Sequence, residues 1–203
     1  MANTVSAIIS DETLSRIIQI ESGGNPKAKA PTSSAGGLGQ FVDMTWLGVV
    51  HKHATRVSDT KTPSQILALK YDPAFAIEML ARFTEDNAKA LGSGWTEGDL
   101  YLAHFAGVGT ALKLLSARPS TAVSSIMSQA AIAANRSILA GKTCGEVRNW
   151  AMGKMARAGG RDWVGKYYRK SPASVPPSVS PAAPSKTPAT FWQRLLAALQ
   201  RKG

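Results

Sequence analysis

The sequence predicts a mainly α-helical protein, and three observations carry the prediction. Apolar residues recur every three or four positions in several segments of the first 160 residues, which is the spacing of one face of a helix. Residues that cap helices, such as Ser10, Thr96 and Thr143, stand directly before some of these segments. Alternation of apolar and polar residues is limited to a short hairpin predicted within residues 28–42.

The helices are predicted in order from the N-terminus. Ser10 or Asp11 caps a first helix that runs to about Glu21. Residues 22–40 are rich in Gly, Pro, Ser and Lys without a helical period, which predicts a long loop. Later helices are predicted over residues 63–70, from Asp72-Pro73 to Gly92, after Thr96, after Gly107 and Gly109, over residues 129–140, and after the capping-box pair Thr143 and Glu146.

Composition divides the chain into three segments. Residues 1–170 have the composition of one globular domain. Residues 171–190, SPASVPPSVSPAAPSKTPAT, lack core-forming residues and predict an extended linker. Residues 191–203, FWQRLLAALQRKG, predict a short basic amphipathic helix. The predicted contacts of this helix with a membrane or another anionic surface are Trp192, Arg194, Arg201 and Lys202.

Positive charge is concentrated in the last third of the chain. Residues 1–141 carry 12 Lys and Arg against 11 Asp and Glu, a net charge of +1. Residues 142–203 carry 12 Lys and Arg against two acidic residues, a net charge of +10. A basic segment of this kind can attract nucleic acid, anionic lipid or another anionic polymer. Charge alone does not choose among these partners.

Cysteine usage and apolar runs exclude some classes of protein. Cys144 is the single cysteine, so an internal disulfide framework is excluded. The start, MANTVSAIISDETLSR, lacks a basic region before an apolar run, so we expect no Sec-type signal peptide. No segment approaches the roughly 20 apolar residues of a membrane span. A substrate outside the cytoplasm would then require another delivery route.

Glu21 is the leading candidate for a catalytic residue. It ends the first predicted helix and begins the sequence ESGGNP, so a glycine-rich turn follows it directly. A carboxyl group at such a helix end can face a cleft while its neighbours stay apolar, a setting that suits a general acid. A solvated glutamate at a helix end is the alternative, and the motifs that follow decide between the two.

Three motifs resemble the lytic transglycosylase branch of the lysozyme-like superfamily. They are the ES pair at 21–22 followed by Pro26, the GLGQF turn at 37–41, and AHFAG at 103–107. The QFxxxTW pattern at 40–46 is similar to members found in phages and secretion systems. The resemblance implies a lysozyme-like helical domain that degrades peptidoglycan.

The resemblance covers roughly residues 8–110, and more loosely the predicted helices to about residue 158. It departs from the family pattern in the third motif. His104 stands where the family has Tyr, and Phe105 where it has Asn. The substrate contacts of this helix therefore differ from those of the family.

The resemblance also implies residue roles. Glu21 would protonate the glycosidic oxygen between N-acetylmuramic acid and N-acetylglucosamine, and would then deprotonate the muramoyl 6-hydroxyl to give a 1,6-anhydro product. Ser22 would orient the Glu21 carboxylate. The remaining predicted substrate contacts are Gln40, Phe41, Tyr101, His104 and Phe105.

A second catalytic carboxylate would change the mechanism. Most glycoside hydrolases use two carboxylates, and the candidates here are Asp43, Glu97 and Asp99. Asp43 lies at the turn three residues after Gln40, and Glu97 and Asp99 lie at the start of the predicted helix that carries the third motif. Each is interpreted as a helix-start charge, which the helix dipole favours. A mechanism with one glutamate therefore ranks first, and a hydrolytic muramidase that activates water ranks second.

Other motifs do not predict a cofactor or a metal. His51 and His53 lie on different sides of a helix and lack the further ligands that a metal site requires. Cys144 has no catalytic partner in the sequence, and the glycines at 36–39 lack the Lys-Ser/Thr of a phosphate loop. Trp46 is interpreted as a core residue.

Two functions of other classes remain as alternatives. A wall-binding protein of the same fold would need no acid, so the combination of Glu21, Ser22 and Gln40 argues against it. A nucleic-acid-binding protein would use the basic segment, in which Lys166 and Arg169 alternate with aromatic residues. For the enzyme, we expect a monomer that binds peptidoglycan and an anionic membrane or lipopolysaccharide. We expect it to reach the cell wall as an endolysin does, through a holin, or by a virion or a specialised secretion system.

Overall fold

The computed structural model describes residues 4–169, and this part of the chain is mainly helical, as predicted. The predicted linker at 171–190 and the amphipathic helix at 191–203 lie outside the described residues. Ten α-helices fall within the described range: α1 Asp11–Ser22, α2 Asp43–His53, α3 Thr55–Thr60, α4 Pro63–Ala68, α5 Pro73–Leu91, α6 Glu97–Ala106, α7 Val108–Ser116, α8 Gln129–Ala134, α9 Arg136–Leu139 and α10 Cys144–Arg157.

Short helices of other types complete the described chain. Two 3₁₀ turns are formed by Leu69–Tyr71 and Val123–Ser125, and a π-helical turn by Gly165–Arg169. None of the helices among residues 4–169 is long and apolar enough to cross a membrane.

The capping residues that were predicted from the sequence stand at the beginnings of their helices. The Ser10 side chain accepts a hydrogen bond from the Thr13 backbone N–H at the start of α1. Thr96 and Thr143 each begin a capping box, at α6 and α10. Each such cap satisfies backbone donors that would otherwise lack partners, a contribution of about 1 kcal/mol.

Helix α5 is the longest helix described and is buried along most of its length. Helices α1, α2, α6 and α7 pack against it, and α10 packs on α6. The apolar face of α1, formed by Leu14, Ile17 and Ile18, is fully buried in this core. The end of α1 is therefore anchored by its interior face.

Between α2 and α9 the structure differs from the sequence predictions in two places. Asp43 and the His51–His53 pair were interpreted as helical, but no helix bounds were predicted over α2 and α3. The single helix predicted at 129–140 is divided into α8 and α9 at Asn135, whose backbone is not helical. Helix α2 has no side-chain cap and contains Gly48 and β-branched residues, all of which weaken local helix signals. Its stability comes from Trp46, which is fully buried and donates a hydrogen bond to the Ile66 carbonyl at 2.7 Å, as expected of a core residue.

The glycine-rich loop between α1 and α2 forms isolated β-bridges where a hairpin was predicted. Gly36 is bridged to both Lys29 and Phe41. The Lys70 ammonium, which is 3% exposed, donates hydrogen bonds to the carbonyls of Ser34 and Phe41 and to the Asp43 carboxylate. One buried lysine therefore joins the loop to the start of α2.

Candidate active site

The C-terminal end of α1 places Glu21 beside a tight turn. Gly23 and Gly24 both have positive φ angles, of 59° and 76°, so the chain reverses immediately after Ser22. The turn is closed by hydrogen bonds from the Gly23 N–H to the Gln19 carbonyl and from the Asn25 N–H to the Ser22 carbonyl. Glu21 is half-buried at this turn.

The loop from Gly36 to Phe41 forms the second part of the site. A Cβ atom on Gly37 would overlap the Lys70 carbonyl oxygen, so only glycine fits there. Gln40 has a φ angle of 47°, and it is the only residue other than glycine with positive φ among those described. Its side chain donates a hydrogen bond to the Gly37 carbonyl at 2.9 Å, which holds this sparsely populated conformation.

Helix α6 supplies aromatic residues to the site. His104 bonds through Nε2 to the Gly39 carbonyl at 3.1 Å, and its ring packs against those of Phe41 and Phe83. Because a carbonyl only accepts, Nε2 carries the proton in this bond. Phe105 packs on Trp150 of α10, with ring centroids 4.9 Å apart.

These three parts enclose a cavity of about 390 Å³. Its volume is within the range of ligand sites. The cavity is lined by Glu21, Gln40, Phe41, Val42, Thr45, Phe83, His104, Phe105, Ala106 and Gly107. Glu21 is the one carboxylate in this lining, and the other lining residues are aromatic, apolar or polar without an acidic group.

The Tyr101 hydroxyl interacts with the Glu21 carboxylate. Tyr101 is 4% exposed, and it does not line the cavity. Burial, and then the charge and hydrogen bonding of Glu21, raise the pKa of the Tyr101 phenol far above its ordinary value. The phenol therefore remains protonated and can donate to Glu21, so Tyr101 is placed to orient the carboxylate rather than to contact a ligand.

The other candidate carboxylates all have structural partners away from the cavity. Asp43 pairs with Lys70 at 2.5 Å. Glu97 accepts hydrogen bonds from Thr13 and Arg16, at 2.6 and 2.8 Å. Asp99 is the capping-box partner of Thr96. None of the three carboxylates lines the cavity that contains Glu21.

The structure brings together most of the predicted site residues but changes two of the expected contacts. Ser22 directs its hydroxyl to the carbonyls of Leu38 and Ile18, at 2.9 and 3.1 Å, and not to Glu21 as expected. It joins α1 to the glycine-rich loop. Tyr101 lies outside the cavity lining and interacts with Glu21, whereas Gln40, Phe41, His104 and Phe105 line the cavity.

Five residues of the cavity lining were not predicted to be site residues. They are Val42, Thr45, Phe83, Ala106 and Gly107. Phe83 lies on α5, more than 60 positions after Glu21, so no local pattern connects them. Thr45 is the Thr of the QFxxxTW pattern at 40–46, and this pattern is the signal that could have identified it.

The two histidines considered for a metal do not share a site. His53 pairs with Asp86 at 2.6 Å, and His51 is exposed. No group of three His, Cys, Asp or Glu side chains among residues 4–169 has a geometry that could hold a metal ion.

Cys144 is buried in the first turn of α10. The tail residues Trp192, Arg194, Arg201 and Lys202 lie outside the described residues.

No known protein-family model matches the chain.

Proposed function

We propose that the protein is a lytic transglycosylase with a lysozyme-like domain, which cleaves the β-1,4 bond between N-acetylmuramic acid and N-acetylglucosamine in peptidoglycan. The observation that supports this proposal best is a cavity lined by a single carboxylate, Glu21, whose charge also reaches a buried tyrosine, Tyr101. A two-carboxylate glycosidase requires a second acidic residue across the cleft. The order and spacing of the ES and GLGQF motifs support the same reaction.

In this mechanism Glu21 acts first as an acid and then as a base. The protonated Glu21 gives its proton to the glycosidic oxygen, and the bond between this oxygen and the muramoyl C1 breaks. The N-acetylglucosamine end leaves as an alcohol, and positive charge develops at C1. The Glu21 carboxylate then takes the proton of the muramoyl 6-hydroxyl, whose oxygen bonds to C1. The products are a 1,6-anhydro end and a regenerated Glu21, and no water is consumed.

The lining of the cavity suits a sugar ring. The aromatic faces of Phe41, Phe83 and Phe105 offer apolar surface to the C–H groups of a pyranose. Gln40 and Thr45 provide hydrogen-bonding groups beside Glu21 for hydroxyl or N-acetyl substituents. His104 holds the Gly39 carbonyl, so in this role it shapes the wall of the cleft.

The cellular setting is part of the same proposal. The substrate lies in the cell wall, so the protein acts there after delivery by a holin, a virion or a specialised secretion system. The basic tail after residue 170 would attract an anionic membrane or lipopolysaccharide. A monomer with no cofactor suffices for this chemistry.

The experiment that tests the proposal is mass spectrometry of the muropeptides released from purified sacculi. Lytic transglycosylation yields 1,6-anhydro ends, because the muramoyl 6-hydroxyl replaces water as the nucleophile. Reducing ends would instead assign the hydrolytic muramidase reaction to the same cavity. Intact sacculi, together with salt-sensitive DNA binding, would favour a nucleic-acid-binding protein, and intact sacculi that retain the protein would favour a wall-binding one.

A further inference from the structure

Residues 162–169, which we call the α1 strap, pack along the helix that carries Glu21. The Trp163 indole N–H donates to the Gln19 side-chain oxygen at 3.0 Å, and the Tyr167 hydroxyl donates to the Gly24 carbonyl at 2.9 Å. These two contacts lie on either side of Glu21 in the chain. Two aromatic residues more than 140 positions away thus bracket the candidate catalytic residue.

Close packing accompanies the hydrogen bonds. The indole ring of Trp163 occupies the space that a Cβ atom on Gly24 would need. Gly24 also has a φ angle of 76°, which other residues rarely adopt. The Trp163 ring can therefore pack against the turn after Glu21 only while Gly24 keeps this backbone conformation.

The strap is itself held rigidly. Its Val164 N–H donates to the Ser15 hydroxyl at 3.2 Å, one and a half turns before Glu21 on α1. Trp163 and Tyr167 are stacked with an interplanar angle of 12°, and the Lys166 ammonium lies within 5 Å of both ring centroids. Arg169 pairs with Asp162 at 2.5 Å within the strap.

We propose that Trp163 and Tyr167 are positioning residues for Glu21. This inference rests on the proposed function for its catalytic consequence. Tyr101 orients the Glu21 carboxylate, whereas the strap fixes the backbone on both sides of Glu21. Displacement of a catalytic group by about 1 Å can reduce a rate by about 100-fold. A loose turn would therefore slow the chemical step.

The positioning role proposed for Trp163 and Tyr167 differs from general stabilisation of the fold. The interior face of α1, with Leu14, Ile17 and Ile18, is fully buried, and α1 also packs against α5 and α10. Loss of the two strap hydrogen bonds should then loosen the turn at Gly23 and Gly24 while α1 stays docked. This difference makes the inference testable, because turn opening, the rate and global stability can be measured separately.

The test uses the full chain with Trp163→Phe, Tyr167→Phe and the double variant. Both substitutions keep an aromatic ring and remove a donor. The matched controls are Tyr168→Phe, in the same strap, and Trp95→Phe, a half-buried tryptophan outside it. The readouts are amide hydrogen exchange at Gly23 and Asn25, whose N–H groups close the turn, the thermal midpoint, and kcat and KM on soluble glycan strands.

We expect the double variant to lose about tenfold in exchange protection at Gly23 and Asn25, as about 1.4 kcal/mol of lost hydrogen bonding would produce. Its kcat should fall by about tenfold or more, with KM within about twofold and a nearly unchanged thermal midpoint, while both controls match the wild type. Unchanged protection in the double variant would overturn the inference. Normal kcat despite lost protection would also overturn it.

The outcome for the proposed function is separate. If the wild-type protein leaves glycan strands intact, the proposed reaction fails and the positioning role for that reaction fails with it. Hydrogen exchange would still show whether the strap holds the turn. If the wild type cleaves the strands, the variants alone decide the inference.

Discussion

The Tyr101 hydroxyl interacts with the Glu21 carboxylate although the two residues are 80 positions apart in the chain. Tyr101 lies on α6 and Glu21 at the end of α1, and the phenol is buried while the carboxylate reaches the cavity. Because the raised pKa of Tyr101 keeps the phenol protonated, its proton is available to Glu21 across the neutral and mildly alkaline range. An orienting hydroxyl of this kind reduces the number of conformations open to a catalytic carboxylate.

Tyr101→Phe tests this relationship. The variant keeps the buried ring and removes only the hydroxyl, so we expect the protein to fold and to lose about tenfold in kcat on soluble glycan strands, since one hydrogen bond to a charged group contributes about 1.5–3 kcal/mol. Circular dichroism checks the fold. A variant with wild-type kcat would show that Glu21 does not depend on Tyr101.

Asp43→Asn distinguishes a structural carboxylate from a catalytic one. Asp43 pairs with Lys70, whose buried ammonium keeps its two carbonyl partners in the variant. Since Asp43 is itself partly exposed, we expect a loss of about 1–2 kcal/mol in the free energy of unfolding. Urea denaturation measures this loss. Cleavage per folded molecule should stay within a few-fold of wild type, and complete inactivity of a folded variant would make Asp43 a second catalytic carboxylate.

Glu78→Gln should stabilise the protein at neutral pH. Burial raises the pKa of Glu78, and the nearby Arg82 charge only partly opposes this effect. The native state therefore holds the Glu78 proton to higher pH than the unfolded state, and stability is lost as pH rises above about 4.3, the ordinary value of a glutamate.

Urea denaturation at two pH values checks this prediction. At pH 7 the Glu78→Gln variant should unfold at higher urea than wild type. Below about pH 4 the two proteins should coincide, because the carboxyl is then protonated in both states. Glu12→Gln, on the exposed side of α1, is the control. A Glu78→Gln variant that is less stable at pH 7 would contradict the assigned cost of ionisation.

The basic tail can be tested by truncation after Lys170. The described domain ends before the tail, so we expect the truncated protein to fold and to act on purified sacculi as the full chain does. Leakage of anionic vesicles should fall on truncation, because each basic residue near an anionic surface contributes about 1 kcal/mol. High salt should reduce leakage by the full chain. No leakage by the full chain at low salt would exclude the membrane role of Trp192, Arg194, Arg201 and Lys202.

Local sequence patterns predicted the elements that depend on local interactions. The apolar spacing of α1 and its cap placed Glu21 at a helix end, and the capping boxes placed the starts of α6 and α10. Helix α2 was missed because buried Trp46 stabilises it more than its own propensities do.

Contacts between distant residues could not be predicted in this way. The pairs Lys70 with Asp43, Tyr101 with Glu21 and Trp163 with Gln19 join residues 27 to 144 positions apart. The sequence position of each of these residues also fits a local role that needs no distant partner, such as a helix-start charge, a core aromatic residue or a solvated residue at a helix end. The family resemblance implied that Ser22 orients Glu21, whereas its hydroxyl donates to the Leu38 carbonyl.

Glu21→Gln tests most directly whether Glu21 is the single acid and base of glycan cleavage. The amide keeps the shape of the side chain but can neither give nor take the proton. We expect release of 1,6-anhydro muropeptides from purified sacculi to fall by roughly 100-fold or more, with unchanged helix content, while the control Glu12→Gln on the same helix releases them at the wild-type rate. Near-wild-type release by a folded Glu21→Gln variant would contradict the account.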